Sequence, residues 1–452
     1  LIKLTFAATL GPVNEMNMER IWNKYRLNTP LKRKVLVGMS GGVDSSVSAA
    51  LLLRDGYEVV GGFIKNWSDT KDLWTGECAW RGERRDAMRV AAKLGIPLLT
   101  FDFEEAYRRT VVDELFRGYE AGETPNPDVL CNEQIKFGLF FDEAIRLGFD
   151  FVATGHYAQV APRRSRREVG IPIRVSGSLL AGPDVKSGSR SEYRDRSSQV
   201  GSCASENDAR RPTSDARLLR GFDSEKDQSY FLYRISQNVL RCTLFPIGNL
   251  QKSMVRKIAR ELNLPVAEKP DSQGICFIGK LDMVEFLRKK IPSHPGEIVD
   301  EEGNVLGRHD GLDGYTIGQR ERIRIQSIKS KVGLFDAWYV AEKDIQRNRL
   351  VVVQGAEHPR LFATVAKVRD IHWIADTAPS FPLECDVQVR YRQEPVRARM
   401  IQMADGRWQI DFVKPVKAVA PGQSAVFYQG EECLGGGILT SSFTSLFFKR
   451  QF

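Results

Sequence analysis

The sequence predicts an α/β protein: a doubly wound parallel sheet followed by a small β-barrel. Three observations predict it. An apolar run, Val35-Leu36-Val37, breaks into a Gly/Ser turn at Ser40-Gly41-Gly42 and resumes as a helical stretch ending in Leu51-Leu52-Leu53. From there to Thr154 strand-like and helix-like segments alternate, the order that right-handed crossovers convert into a parallel sheet with ligands at its carboxyl edge. Beyond Pro295 the apolar period drops to two, with turn signals at Asp405-Gly406 and Gln429-Gly430.

In chain order, strands are expected at Val35–Gly38, Glu58–Ile64, Pro97–Phe103 and Phe151–Thr154, and helices at Arg84–Leu94, Tyr107–Tyr119 and Phe137–Leu147. From Arg163 to about Ala216 the chain is rich in Ser, Arg, Gly and Asp and nearly devoid of aromatics, so it offers little apolar surface to offset ordering entropy. It reads as a disordered insertion. Helices are expected again at Gln251–Asn263 and Leu281–Lys290. Alternating segments at Arg349–Gln354, Ala363–Val368, Glu384–Tyr391, Val396–Met403, Trp408–Val413 and Ser424–Gln429 then fit the barrel.

Composition bounds the function. At 452 residues and 42% apolar content the chain has room for two or three cores. A net charge of +9 suits a polyanionic partner, although part of the excess sits in the insertion. The seven cysteines are odd in number and scattered, which makes neither a disulfide framework nor a zinc site and predicts a reducing compartment. No window approaches the roughly 18 apolar residues of a membrane span, so no membrane partner is expected. Residues 1–33 are basic and poor in acids, as an N-terminal extension or organellar transit segment would be, and an ordinary basic N-terminus fits as well.

The turn at Ser40 carries the chemistry. Gly41 and Gly42 let backbone N–H groups approach an anion, the hydroxyls of Ser40, Ser45 and Ser46 add donors, and a helix start adds partial positive charge. A nucleotide phosphate fits there, and a capped helix is the plainer alternative. Phosphate loops of the Gly-x-x-x-x-Gly-Lys-Ser/Thr type place a lysine at the end of the turn, whereas this one carries Asp44, a candidate Mg²⁺ ligand. Two cysteines have unusual neighbours. Cys131 follows Thr124-Pro125-Asn126-Pro127-Asp128, where two prolines stiffen a loop ahead of a helix expected to start near Asn132; a helix N-terminus lowers a thiol pKa. Cys276 lies in the glycine-flanked Gly274-Ile275-Cys276-Phe277-Ile278-Gly279. Each also suits a small buried hydrophobe. His156, at a strand end, could contact nucleotide or base, or be structural.

The Ser40–Ser46 turn resembles the Ser-Gly-Gly-x-Asp-Ser signature of PP-loop ATP pyrophosphatases. Together with Lys65-Asn66-Trp67, Thr124–Asn132, Ala153–Tyr157, Lys226–Leu232, Gly274–Gly279, Gly318-Gln319-Arg320, Arg390–Gln393 and Pro421–Val426, the chain resembles the tRNA-specific 2-thiouridylase family from Lys34 to Leu439, outside the insertion. That resemblance implies a PP-loop catalytic domain over 34–278, interrupted at 163–216, a small central domain over 279–346 and a C-terminal β-barrel over 347–445. It implies ATP and Mg²⁺ as cofactors, the wobble uridine of a tRNA anticodon loop as target, and an upstream persulfide donor. By motif position, Gly38, Met39, Ser40, Gly41, Gly42, Val43, Asp44, Ser45, Ile64 and Gly155 would bind ATP, Ile64 standing where bacterial members generally have Met. Asn126, Pro127 and Asp128 would meet the flipped base, with Asp128 as general acid/base. Cys276 would carry the persulfide and Cys131 would complete release, leaving a Cys131–Cys276 disulfide. Lys226, Asp227, Gln228, Arg390 and Tyr391 would hold tRNA.

The chain departs from the family pattern at Gln273, where Thr is usual, and at Arg322, where Gly is usual and whose loss puts the central-domain loop in question. A mitochondrial location is implied by the family's eukaryotic members; otherwise the cytoplasm is expected. Two rivals remain: an amidating or argininosuccinate-forming ligase on the same loop, which needs no paired cysteines, and an RNA-binding protein whose ATP site has decayed.

Overall fold

The computed structural model describes residues 33–68, 78–162, 215–271, 283–323, 325 and 337–443. Residues 1–32, most of the insertion and Cys276 therefore lie outside it. The first sheet is formed by β1 (Lys34–Gly38), β2 (Glu58–Lys65), β3 (Leu98–Asp102), β4 (Phe151–Ala153) and a short fifth strand, Thr243–Leu244. All its pairings are parallel, in the order β3-β2-β1-β4 and then Thr243–Leu244. The chain moves outward from β1 through β2 and β3, then returns to lay β4 on the other side of β1. The order reverses between β1 and β4, where a crevice opens in such sheets.

Both faces of β1 are buried, which is why it reads as an unbroken apolar run. Leu36 joins Val60, Phe101, Phe140 and Val152 on one face. Val35 and Val37 join Val59, Leu98 and Phe151 on the other, beneath the helices Val43–Arg54 and Ala79–Leu94. The helix expected at Tyr107–Tyr119 starts earlier, at Glu104, and runs to Glu120 through a π-helical stretch, Arg108–Val112. The helix expected to open near Asn132 instead opens at Pro127, with Asn126 as its cap, and continues through a π-helical stretch, Asn132–Leu139, into Phe140–Arg146. A proline at the first helical position explains the early start, because its missing N–H is one of the unpaired four.

The described chain resumes at Asp215. The antiparallel strands β5 (Ala158–Pro162) and β6 (Ala216–Arg220) pair from Pro162↔Ala216 to Ala158↔Arg220, so the insertion joins the free ends of one hairpin. The short strand Thr243–Leu244 follows as β7, and then the helix Lys252–Glu261. The central domain carries a four-stranded sheet of β8 (Gly296–Val299), β9 (Val305–His309), β10 (Trp338–Asp344) and β11 (Arg349–Gln354), ordered β10-β11-β8-β9. Arg349–Gln354, expected as the first barrel strand, belongs here. Leu350 and Val352 are buried with Ile298 and Val340 in the central core, and alternation alone does not say which core a strand joins. The departure at Arg322 carries a local backbone cost. Its φ is +66°, a conformation glycine adopts freely, and the Tyr315 hydroxyl donates to its carbonyl at 3.2 Å.

The barrel comprises β12 (Phe362–Trp373), β13 (Leu383–Gln388), β14 (Val396–Gln402), β15 (Trp408–Lys417), β16 (Ser424–Gln429) and β17 (Glu432–Phe443). They run β12-β15-β14-β13-β16-β17, and β12–β17 pairing closes the ring around Ala366, Cys385, Met400, Phe427 and Leu439. The β5–β6 hairpin continues this sheet, since Leu218 and Leu219 pair with Cys433 and Glu432. The catalytic domain and the barrel thus share backbone hydrogen bonds.

Candidate active site

Between β1 and the helix Val43–Arg54 the chain forms a compact cradle. Gly41 has φ +73°, and a Cβ there would stand 2.3 Å from the Glu83 carbonyl oxygen. Gly42 is the helix cap, in extended conformation, and no side chain caps the first turn. The turn is braced from within: the Ser46 hydroxyl donates to the Gly42 carbonyl at 2.7 Å, and the Ser45 hydroxyl accepts from the Ser40 N–H at 3.2 Å. Ser45 and Ser46 are buried, so their hydroxyls shape the loop rather than offer donors to phosphate as expected; Ser40 alone of the three is exposed. Met39, Val43 and Ile64 are buried too, and Met39 and Val43 can serve a ligand only through backbone. Gly155, just past β4, lies directly against this helix start, for a Cβ would stand 2.6 Å from the Ser45 nitrogen. An uncapped turn with such close backbone approach fits the polyphosphate of a nucleotide.

Asp44 is not isolated. Its carboxylate accepts from the Lys252 ammonium at 2.7 and 2.8 Å and from the Tyr157 hydroxyl at 2.8 Å. Lys252 also pairs with Asp271 at 2.9 Å, which Lys226 and Arg256 share at 2.8 and 2.7 Å. Partial burial pushes the Asp271 carboxyl up, but hydrogen bonds from Lys226 and Lys252 outweigh it and hold the group far below the ordinary carboxylate range. Burial and then the neighbouring Asp44 charge keep Tyr157 a neutral phenol. On the opposite side Lys269 donates to the Gly41 carbonyl at 3.0 Å and pairs with Asp86 at 2.7 Å. None of Lys252, Asp271, Lys269 or Tyr157 was chosen from the sequence as a site residue. Tyr157 lies in the Ala153–Tyr157 block, and Asp271 opens the motif that runs on to Cys276.

The second half of the site is the helix Pro127–Cys131. The Asn126 side chain accepts from the N–H groups of Asp128 and Val129 at 3.2 and 3.3 Å, so it fixes the loop. Cys131 is the fifth residue of that helical run, one turn in from its start rather than ahead of it, and is wholly buried. Burial pushes its thiol up to about 12, Lys136 opposes this and Asp128 adds to it. The activated thiolate expected from the sequence is therefore absent from this state, because desolvation exceeds what one ammonium returns. Cys131 is a free thiol. Burial, then Lys136, keeps His156 neutral. Lys136, a donor only, stands 3.5 Å from His156 Nε2, which assigns the ring proton to Nδ1 and makes it the donor to the Thr154 hydroxyl at 2.8 Å. Thr154-Gly155-His156 thus links the two halves: Gly155 touches the cradle, and His156 faces the lysine that acts on Cys131.

Buried polar atoms without partners mark the same edge of the sheet. Asn66, just past β2 and 1% exposed, has neither its Oδ1 nor its Nδ2 hydrogen-bonded, and Trp67 Nε1 is likewise unpaired. Among the described residues no cluster of three or more His, Cys, Asp or Glu side chains could hold a metal. Asp44 alone suits Mg²⁺, which takes one or two carboxylates and completes its shell with phosphate oxygens and water.

Of the residues expected to hold tRNA, Asp227 and Gln228 are half-buried and hydrogen-bonded within the chain. Asp227 accepts from the Gly221 and Ser229 N–H groups and pairs with Arg220 at 3.1 Å. Gln228 accepts from the Tyr157 N–H at 3.0 Å and gives its own N–H to the Tyr157 carbonyl. Lys226 faces Asp271. Arg390 is exposed on the barrel, and Tyr391 beside it packs on Phe231 with ring centroids 4.5 Å apart, so the barrel turn and the Lys226–Phe231 loop form one surface.

Three family models match consecutive parts of the chain: a tRNA methyl transferase HUP domain over 33–174 and 184–280, a tRNA methyl transferase PRC-barrel domain over 284–354, and an aminomethyltransferase β-barrel domain over 364–439. A tRNA-specific 2-thiouridylase MnmA of Methylibium petroleiphilum is 46% identical over 416 residues, 91% of this chain and 99% of that protein. Its namesake from Geobacillus thermodenitrificans is 41% identical over 414 residues, 92% and 96% of the two chains. Among solved structures, a 4-thiouridine synthetase in complex with RNA and ATP covers 57% of this chain and 50% of its own at 14% identity, with a TM-score of 0.31, too low to bear on the argument.

Proposed function

Because the chain belongs to the tRNA-specific 2-thiouridylase family, we propose that it catalyses ATP-dependent 2-thiolation of the wobble uridine in tRNA. The observation that carries this reading is the link that Thr154-Gly155-His156 makes between the uncapped Gly41–Gly42 cradle, which Gly155 touches, and Lys136 on the helical run that carries Cys131. A phosphate cradle and a sulfur nucleophile at one sheet edge suit a reaction that activates an oxygen and replaces it with sulfur.

Uridine O2 is a poor leaving group. Its attack on the α-phosphate of ATP makes an O2-adenylate and frees pyrophosphate, which the cradle amides would stabilise. Mg²⁺, held at Asp44, would supply further charge neutralisation there. The terminal sulfur of a Cys276 persulfide, loaded by an upstream donor, then attacks C2, and AMP departs with the former O2. Cys131 attacks the Cys276 sulfur, forms the Cys131–Cys276 disulfide and leaves C2=S; a reductant must reopen that disulfide before the next cycle. Cys131 must first lose its proton, and Asp128, whose charge reaches the thiol, would be the general base that takes it. An anticodon base is unpaired and leaves its stack at low cost.

Unmodified tRNA incubated with ATP and a persulfide donor tests this. The wild type is expected to form 2-thiouridine and AMP, and Cys276→Ser and Cys131→Ser to lose thiolation. Full activity in both variants would remove the sulfur relay. AMP formation driven by a small carboxylate and indifferent to tRNA would point instead to a ligase.

A further inference from the structure

The cradle lacks the loop lysine that other phosphate loops use to meet the β/γ-phosphates. In its place stands Asp44, and onto Asp44 folds an ammonium from 208 residues further along the chain, Lys252, at 2.7 and 2.8 Å. Lys252 is firmly presented. Its backbone N–H donates to Asp223 at 2.8 Å, and its helix packs Val255 and Ala259 against Val47 and Leu51 of the helix that begins at the cradle. Its side chain is 13% exposed, and Asp271 holds it from a second side at 2.9 Å. An ammonium has three donors and no fixed fork, so it can keep one carboxylate while exchanging the other.

We propose that Lys252 is the polyphosphate-gripping cation of this site, replacing the missing loop lysine: anchored on Asp271, it exchanges its Asp44 contact for the β/γ-phosphate oxygens of ATP. This rests on the ATP-using reading above. Asp44 is thereby released to a divalent cation, and one lysine serves as the carboxylate's counter-ion in the empty cradle and as the phosphate's in the filled one. Lys226 and Arg256, both on Asp271, keep that anchor ionised when Lys252 turns.

Equilibrium binding of ATP, AMP and inorganic pyrophosphate to the full chain and to Lys252→Met decides the matter. Losing one charge-assisted contact is expected to weaken ATP and pyrophosphate at least about tenfold and AMP much less. Lys252→Arg should recover part of the pyrophosphate affinity. If Lys252→Met does not fold, Lys252→Gln, which keeps a donor toward Asp271, is measured in its place. Unchanged ATP and pyrophosphate affinities, or equal losses for all three ligands, would overturn the role of Lys252 alone. A wild-type chain that binds neither ATP nor pyrophosphate would overturn the ATP reading with it.

Discussion

Cys131 sets two local effects against each other. The Lys136 ammonium favours thiolate, complete burial and the Asp128 charge favour thiol, and burial wins by pushing the group up to about 12. In the free protein, iodoacetamide should therefore label the half-buried Cys78 well before Cys131 at neutral pH. Cys131 labelling should stay flat past pH 9 and rise only toward 12, as read by mass spectrometry of the peptides; rapid labelling of Cys131 near pH 7 would contradict its burial. The sign for stability follows. The folded pKa lies above the unfolded value near 9, so folding loses stability as pH rises from about 9 to 12 and gains nothing further below that window. That Cys131 matters was legible from its neighbours Pro125 to Asp128. Its protonation state was not, because desolvation is imposed by Ile135, Phe140 and Tyr107, residues that surround it only after folding.

The elements divide by how local their causes are. The β1 turn was legible because a glycine pair between an apolar run and a helix start is its own explanation. The helix starts at Pro127, five residues before the expected Asn132, because proline at the first helical position with Asn before it is a start signal as well as a loop former. Arg322 is the clearest local conflict. At φ +66° it carries a Cβ where glycine would be unstrained. Restoring glycine is expected to relieve about 1–2 kcal/mol of strain against about 0.5–1 kcal/mol of added unfolded-state entropy. Arg322→Gly should thus stabilise the protein by up to about 1.5 kcal/mol in a denaturant titration. A clear loss would show that the arginine side chain contributes more than its backbone costs.

At the scale of the whole molecule, three domains meet at Thr124, two residues ahead of Asn126. The Thr124 N–H donates to the Pro421 carbonyl at 2.8 Å, and Gln423 of the barrel donates to the Thr124 carbonyl at 2.8 Å. The Thr124 hydroxyl stands 3.4 Å from that of Thr316 in the central domain. Arg369 of the barrel clamps Glu123 through both carboxylate oxygens at 2.7 and 3.0 Å. Gly422, at φ +87°, permits the approach, for a Cβ there would stand 2.7 Å from the Thr124 nitrogen. The barrel therefore holds the loop that would meet the target base. Gly422→Val should displace this loop and cut the rate of tRNA thiolation at least about tenfold, while ATP affinity stays within about threefold, since an ångström-scale misplacement can cost about a hundredfold in rate. An unaltered thiolation rate would mean that the docking is only a packing contact.

The sequence by itself determined the parallel sheet, the cradle at its edge, a β-barrel to follow and the two cysteines to examine, because each is written in residues that are neighbours along the chain and act within one turn or one strand. The tertiary structure alone decided that Arg349–Gln354 joins the central sheet, that Ser45 and Ser46 turn inward, that Cys131 is a buried thiol, and that Lys252 reaches Asp44. Burial, partner choice and protonation depend on which distant surfaces exclude water from one another, and no window of sequence contains both sides of such a contact.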